Sequence, residues 1–336
     1  VKAVGLLKYL PIKDESALMD FDLPKPIPKP KDLLVKVKAI GLNPVDTKIR
    51  APKSLVEKEP KILGWDAAGI VESVGSDVKN FKVGDEVYYA GDISRQGCNA
   101  EFHCVDERIV GLKPRSLSFA ESAALPLTSI TAWEALFDRM AIDPKGAKIE
   151  KRLLIIGAAG GVGSIAIQLA KTVPALKITA TASRKESVEW CKSLGAHEVI
   201  DHGALSASDL GALANSFDYI FCCQNTDDYF EVMTKLVAPE GAICTIVESH
   251  QKQEIALLMQ KSVRFCYELM FTRSLFQTAD MGKQGELLNR VASLVDEGRI
   301  RTTSNQTVKG LNAKVMRDAH RQIEERKTIG KLVIEL

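Results

Sequence analysis

Polar and apolar residues alternate through much of the first third of the chain, in Leu33 to Ala39 (LLVKVKA), Ala68 to Val74 (AGIVESV) and Glu86 to Tyr89 (EVYY). Proline and glycine break these runs. A period of two puts one strand face on a core and the other in water, which predicts an antiparallel, one-sided sheet. Val1 to Leu10 reads as a first strand of this kind, and the Pro-rich Pro24 to Pro30 (PKPIPKP) as a stiff loop between strands. From about residue 127 the texture changes. Apolar runs at Arg152 to Gly157, Leu176 to Ala182, Glu198 to Asp201, Tyr219 to Cys223, Ala242 to Val247 and Val263 to Leu269 are separated by helical stretches. Strands apolar on both faces and alternating with helices predict an α/β, doubly wound parallel sheet. After about residue 282 this alternation stops. Gln284 to Glu297 carries Leu287, Leu288, Val291 and Leu294 at helical spacing, a second helix is predicted near Ala313 to Arg326, and Lys331 to Leu336 is a final strand. These elements are expected to complete the first domain, so that residues 1–126 and 283–336 flank a second domain at 127–282. There is no internal repeat.

The sharpest local signal is Leu153 to Lys171 (LLIIGAAGGVGSIAIQLAK), which is long and apolar enough to be weighed as a membrane span. Glycines 157, 160, 161 and 163 argue against one continuous helix, since each costs about 1 kcal/mol in a helix interior. A strand, a glycine turn and a helix fit better, in the order that a phosphate cradle requires. Gly160 and Gly163 take the second and third glycine places of a dinucleotide fingerprint, with Ala158 in the first. Gly160 would let the backbone approach a pyrophosphate, beside Gly161 and Val162, and Gly163 would let the helix pack closely. No lysine follows the glycines, which excludes a Walker-type loop. Where an NAD site places an acid for the ribose 2′-hydroxyl, the chain reads Ala182-Ser183-Arg184-Lys185. A hydroxyl and two cations suit a 2′-phosphate, which favours NADPH; a solvated helix start is the plainer alternative.

Composition narrows the function classes. The 336 residues are 46% hydrophobic and 26% charged, enough for a large core, and 45 Lys and Arg against 43 Asp and Glu leave too little positive charge for general nucleic-acid binding. The seven cysteines, an odd number scattered through apolar segments, suit reduced thiols, so a cytoplasmic location is expected.

Six segments together, Gly41 to Arg50 (GLNPVDTKIR), Pro60 to Gly75 (PKILGWDAAGIVESVG), Val83 to Asp92 (VGDEVYYAGD), Ala124 to Leu136 (ALPLTSITAWEAL), Gly157 to Gly163 (GAAGGVG) and Glu325 to Val333 (ERKTIGKLV), resemble the medium-chain dehydrogenase/reductase superfamily. Within it the chain is similar to the quinone oxidoreductase branch and its zinc-type alcohol dehydrogenase-like proteins, over essentially its whole length. The resemblance implies a GroES-like, partly open β-barrel catalytic domain, a Rossmann domain inserted within it, a cofactor between the two, and a homodimer. Zinc members carry Cys and His where this chain has Asn43 and Trp65, and a third ligand where Leu125 to Thr128 has neither. With Asp46 and Asp66 the only donors left, a zinc site is not expected. Cys98, His103 and Cys104 fit no common zinc spacing, Cys222 and Cys223 read as core, and His197, His202, His250 and His320 as surface or satisfied structural residues.

The expected activity is NADPH-dependent, zinc-independent hydride transfer to a quinone or α,β-unsaturated carbonyl, with no nucleic acid or membrane as partner. Asn43 would donate its amide to the substrate carbonyl, unless it serves only the turn before Pro44; Asp46 would organise the site and Trp65 wall the pocket. By resemblance Thr128, Thr131 and Asn225 approach the nicotinamide, while Ser183, Arg184, Lys185 and Arg326 meet the adenosine phosphate. The competing readings are a zinc-containing alcohol dehydrogenase and an NADPH-binding regulatory or RNA-binding protein.

Overall fold

The computed structural model describes residues 1–206 and 210–336, which fold as two compact units, Val1–Ile130 with Phe271–Leu336, and Thr131–Met270. The first unit begins with β1 (Lys2–Tyr9), β2 (Met19–Asp22), β3 (Asp32–Gly41), helix α1 (Pro44–Arg50), β4 (Lys53–Ile62), β5 (Ala67–Val74), β6 (Glu86–Tyr89), β7 (Phe102–Asp106) and β8 (Val110–Leu112). Helices α2 (Phe119–Ala123) and α3 (Pro126–Trp133) follow, the latter crossing the division between units. Pro24 to Pro30 is a loop without regular structure.

In the second unit come β9 (Lys151–Ile156), α4 (Gly161–Lys171), β10 (Leu176–Thr181), α5 (Lys185–Leu194), β11 (Glu198–Ile200), β12 (Phe217–Cys222), α6 (Thr226–Leu236), β13 (Val237–Thr245) and β14 (Arg264–Tyr267). All neighbouring pairs are parallel, in the order β11-β10-β9-β12-β13-β14. Counted within the unit this is 3-2-1-4-5-6, the Rossmann order, and it reverses between β9 and β12. Leu154, Ile156, Ile220, Cys222 and Ile243 form one core face with Phe230, Met233 and Leu236 of α6. The long apolar run therefore resolves into β9, a turn and α4. Among the described residues no helix is long and apolar enough to cross a membrane.

The chain then returns to the first unit through α7 (Thr272–Leu275), α8 (Lys283–Asp296), β15 (Ser304–Lys309), α9 (Ala313–Glu324) and β16 (Lys331–Glu335). The return begins at Phe271, ahead of the composition change near residue 282, because short stretches there pack on the first unit. Phe271 meets Trp65 edge-on with centroids 6.3 Å apart, Arg108 donates to Gln277 Oε1 at 2.9 Å, and Met281 joins the core around Val87 and Tyr89. β16 pairs antiparallel with β3 and parallel with β15, extending the sheet β15-β16-β3-β5-β6-β8, while β7 also pairs with β3. A separate three-stranded sheet runs β2-β1-β4. These sheets and the short helices around them make the GroES-like unit.

Within the second unit, α4 approaches β9 so closely that a Cβ on Gly163 would lie 2.5 Å from the α-carbon of Ala158 and 2.6 Å from its carbonyl oxygen. Backbone cannot yield as a side chain can. Gly163→Ala is expected to destabilise the protein by about 1–3 kcal/mol, as overpacking does; urea unfolding of the variant against wild type measures it, and an unchanged midpoint would show that α4 is free to shift.

Candidate functional site

In the second unit the carboxyl ends of β9 and β12, where the strand order reverses, carry the glycine turn and the segment Gln224-Asn225. Open α/β sheets bind ligands at such a reversal. Gly157 has a positive φ of 79°, its N–H donates to Thr181 Oγ1 at 3.0 Å, and a Cβ there would meet Gln224 Cγ at 2.8 Å. The backbone angle favours glycine there, while the exposed Gln224 side chain could move aside. Gly160 caps α4 in extended conformation, and a Cβ on it would find only the Gly157 carbonyl oxygen, at 3.6 Å. Space is thus open before the helix N-terminus, whose first N–H groups have no partner within the helix. Gly161 and Val162 begin α4 and are partly exposed. An anion fits there with the helix dipole in its favour.

At the end of β10, Ser183, Arg184 and Lys185 are all exposed, Arg184 as the N-cap of α5 and Lys185 as its first residue. Cations at a helix N-terminus oppose the dipole unless an anion accompanies them. Asn225 is partly buried and caps α6, its Oδ1 accepting from the Asp227 N–H at 3.1 Å. Thr226 behind it shares a 2.5 Å hydroxyl contact with Thr245. On α3, Thr128 is buried with its hydroxyl donating to Leu125 O at 3.1 Å, and Thr131 is buried as well. Arg326 is exposed just beyond α9, at a φ of 56°.

In the first unit, Asn43, Asp46, Trp65 and Asp66 are brought together, but as an interior network. Asn43 is 1% exposed. Its Nδ2 donates to Asp66 Oδ2 at 2.9 Å, with Trp65 O and Gly41 O at 3.3 and 3.4 Å, and its Oδ1 accepts from Lys331 Nζ at 2.5 Å. Both polar ends of the amide are engaged by protein groups, an arrangement that favours the structural alternative for Asn43 over the substrate donor. Asp46, in the first turn of α1, accepts the Asn43 N–H at 2.6 Å. Trp65 packs in the core beside Phe271, with Nε1 3.4 Å from Asp92 O, where it fills the interior.

Lys331 is the member that the sequence does not announce as a site residue. Because Val333 pairs with Gly41, the residue two positions earlier on β16 falls beside Asn43. Its buried ammonium donates three bonds, to Asn43 Oδ1, to Leu42 O at 2.7 Å and to Asp66 Oδ2 at 2.8 Å. That uses every donor it has. Asp66 Oδ1 in turn accepts from the Leu127 N–H at 2.8 Å. Burial pushes the Asp66 carboxyl above its ordinary value, against the pull of Lys331 and these donors. Burial likewise raises Asp46, to about 7, opposed by the Asn43 N–H and Lys331 and assisted by the charge of Asp66.

The histidines are dispersed. His103 bonds Tyr89 OH at 3.1 Å and Gln96 O at 2.9 Å, and burial lowers it to about 4, so neither ring nitrogen is left for a metal beside Cys98 or Cys104. His320 departs from the expectation of a satisfied residue: it is fully buried beside Arg50 and neither nitrogen has a hydrogen-bond partner among the described residues.

Comparison with known proteins places these features in one lineage. Residues 29–133 match the alcohol dehydrogenase GroES-like domain and residues 194–334 the zinc-binding dehydrogenase domain. The zinc-type alcohol dehydrogenase-like protein of Staphylococcus aureus (strain COL) is 41% identical over 337 residues, covering all of both chains. The chain belongs to the medium-chain dehydrogenase/reductase superfamily. Among other superfamily members, the NADPH-dependent alkenal/one oxidoreductase of Arabidopsis thaliana is 39% identical over 227 residues, 64% of this chain and 56% of that one. A crystal structure from Rhizobium etli CFN 42, described as a zinc-dependent alcohol dehydrogenase protein, shares 50% identity at a TM-score of 0.93, covering 100% and 98% of the two chains. The quinone oxidoreductase of Coxiella burnetii superposes with a TM-score of 0.82 at 28% identity, covering 100% and 99%.

The zinc in these family names is tested by the donor set of this chain. Zinc takes thiolate, imidazole or carboxylate ligands. At the two places that the resemblance sets against zinc ligands stand the Asn43 amide and the Trp65 indole, and the one carboxylate in contact with Asn43 through its side chain is already paired to an ammonium. These residues do not fit a zinc ion.

Two measurements probe the network. Lys331→Met would leave Asp66 buried without its counter-charge, and breaking such a pair typically costs about 3–5 kcal/mol; chemical unfolding should show that loss, with much of it recovered in Lys331→Met/Asp66→Asn. Equal losses in both would locate the effect in packing. The second measurement concerns pH. Asp46 titrates near 4 when unfolded but near 7 when folded, so its contribution favours the fold fully below about pH 4 and is lost as the pH rises through about 7. Asp46→Asn should flatten the Tm against pH over that window, whereas a slope equal to wild type would show an aspartate ionised throughout.

Proposed function

We propose that this chain is an NADPH-dependent reductase, working without zinc, that delivers hydride to a quinone or another α,β-unsaturated carbonyl. The observation that carries the reading is the run Ser183-Arg184-Lys185, exposed at the end of β10 with no carboxylate among them, beside a glycine turn open to a pyrophosphate. The open backbone at Gly160, with Gly161 and Val162 at the N-terminus of α4, would hold the pyrophosphate, and Gly163 lets the helix come close enough to do so. The Ser183 hydroxyl and the Arg184 and Lys185 cations would recognise the 2′-phosphate. Thr131 and Asn225, both of the second unit, are assigned to the nicotinamide end. The bound cofactor supplies the hydride.

Conjugated acceptors suit a protein whose donor set does not fit zinc, because their low-lying acceptor orbital needs little Lewis-acid assistance. The protein's part is to position the reactants and exclude water. Alcohol oxidation is the slower direction, since nothing in the Asn43–Asp66–Lys331 network acidifies an alcohol. The names of the Arabidopsis and Coxiella proteins point to the same chemistry. A cytoplasmic homodimer belongs to the same reading.

Cofactor titration and turnover test it together. Arg184→Ala should weaken NADPH roughly ten- to a hundredfold, the equivalent of one lost charged hydrogen bond, with NADH nearly unchanged, and Ser183→Asp should move the preference toward NADH. Wild type should oxidise NADPH faster with a simple quinone or enone than it reduces NADP⁺ with a primary alcohol. Equal wild-type affinity for the two cofactors overturns the NADPH assignment. Tight binding without turnover on any quinone or enone would make the chain a cofactor-binding regulator instead.

A further inference from the structure

Two cysteines of the second unit stand directly opposite each other. Cys244 on β13 and Cys266 on β14 are register partners in the parallel pair. Paired residues on neighbouring strands lie about 4.8 Å apart, inside the range of about 4.4–6.8 Å over which a disulfide joins two α-carbons. Their side chains leave the sheet on the same side. Ile243 and Phe265, one residue before each, pack into the core shared with α6, so both cysteines face the other way. Cys244 is fully buried and Cys266 is partly exposed on β14, the last strand of the sheet.

The surroundings of Cys266 differ from those of the other thiols, Cys244 included, which its bond to Cys266 and burial push up. Residues 134–139 form a π-helical turn that packs on β13 and β14 and brings Arg139 over this face, its Nε 2.7 Å from Glu268 Oε2 and its Nη2 3.6 Å from Glu134 Oε2. Burial, together with the neighbouring Glu134, pushes Glu268 up to about 9, against the pull of Arg139. Arg264, two residues before Cys266 on the same face, is exposed. The hydrogen bond from Cys244, with Arg264 and Arg139, holds the Cys266 thiol below its ordinary value despite burial. Burial raises the thiols of Cys98, Cys104, Cys191, Cys222 and Cys223.

We propose that Cys244 and Cys266 form an oxidisable dithiol, an attacking and a resolving cysteine, that closes to an intrachain disulfide between β13 and β14 when a hydroperoxide reaches Cys266. The Cys266 sulfur attacks the peroxide; the O–O bond breaks, the alcohol (water, for hydrogen peroxide) leaves with the thiol proton, and the sulfur becomes a sulfenic acid. The Cys244 sulfur then displaces that hydroxyl. The S–S bond forms, the S–O bond breaks, and water leaves with the Cys244 proton. One peroxide is reduced while two thiols give up two electrons.

The test uses the whole protein, treated with a slight excess of hydrogen peroxide and analysed by intact mass and non-reducing peptide mapping. The expected product is lighter by two hydrogens, restored by dithiothreitol, with the peptides of Cys244 and Cys266 linked. In Cys244→Ser, dimedone should instead label Cys266 as a sulfenic acid. Wild type itself carries the decision, so poor folding of the variant does not weaken it. Sulfinic acid at Cys266 without a disulfide, a disulfide through another cysteine, a link between two chains, or an unmodified Cys266 would each overturn the proposal.

Discussion

One buried ammonium closes the first unit. Lys331, on the last strand, satisfies Asn43 and Leu42 just past β3 and Asp66 just before β5, and Asp66 in turn holds the N–H of Leu127 in α3. Four separate segments converge on this one cluster of hydrogen bonds and its ion pair. Low polarity makes such a cluster strongly directional: any member displaced leaves a charge or a dipole without compensation, so the arrangement has little freedom to repack.

That constraint also fixes what the cluster can do. Its groups point at one another, whereas in the second unit the reversal of strand order lays backbone N–H groups and small residues open. There Ser183, Arg184 and Lys185 stand exposed at the start of a helix, while the Lys331–Asp66 pair of the first unit is buried. In a chain whose relatives bear the name of zinc enzymes, a lysine from the C-terminal strand holds the carboxylate that would otherwise be available to a metal.

The fold is largely legible in the sequence because its periodicities are strong. The apolar runs of the parallel sheet and the helical spacing of Leu287, Leu288, Val291 and Leu294 each end up buried on one face. Residues 271–282, grouped by texture with the second domain, pack with the first unit; Met270, Phe271 and Met281 look alike in sequence whichever core they join. The site is legible where backbone demands a residue type, as at Gly157 and Gly163, and illegible where pairing partners are distant. Nothing local to Asn43 reveals Lys331, nor does anything around Cys244 reveal Cys266; both follow only from strand register.

The interruption of the first unit has a consequence for the order of assembly. Leu42 and Lys331, which share a hydrogen bond, are 289 positions apart, with the whole second unit synthesised between them. On the ribosome the parallel sheet is complete in sequence before the closing strand has emerged, so it can mature as a unit while the earlier strands wait with β3 lacking its neighbour β16. A nascent chain therefore carries an unpaired strand edge and an unneutralised Asp66 for most of its translation. Chaperone demand should fall on the half that was made first.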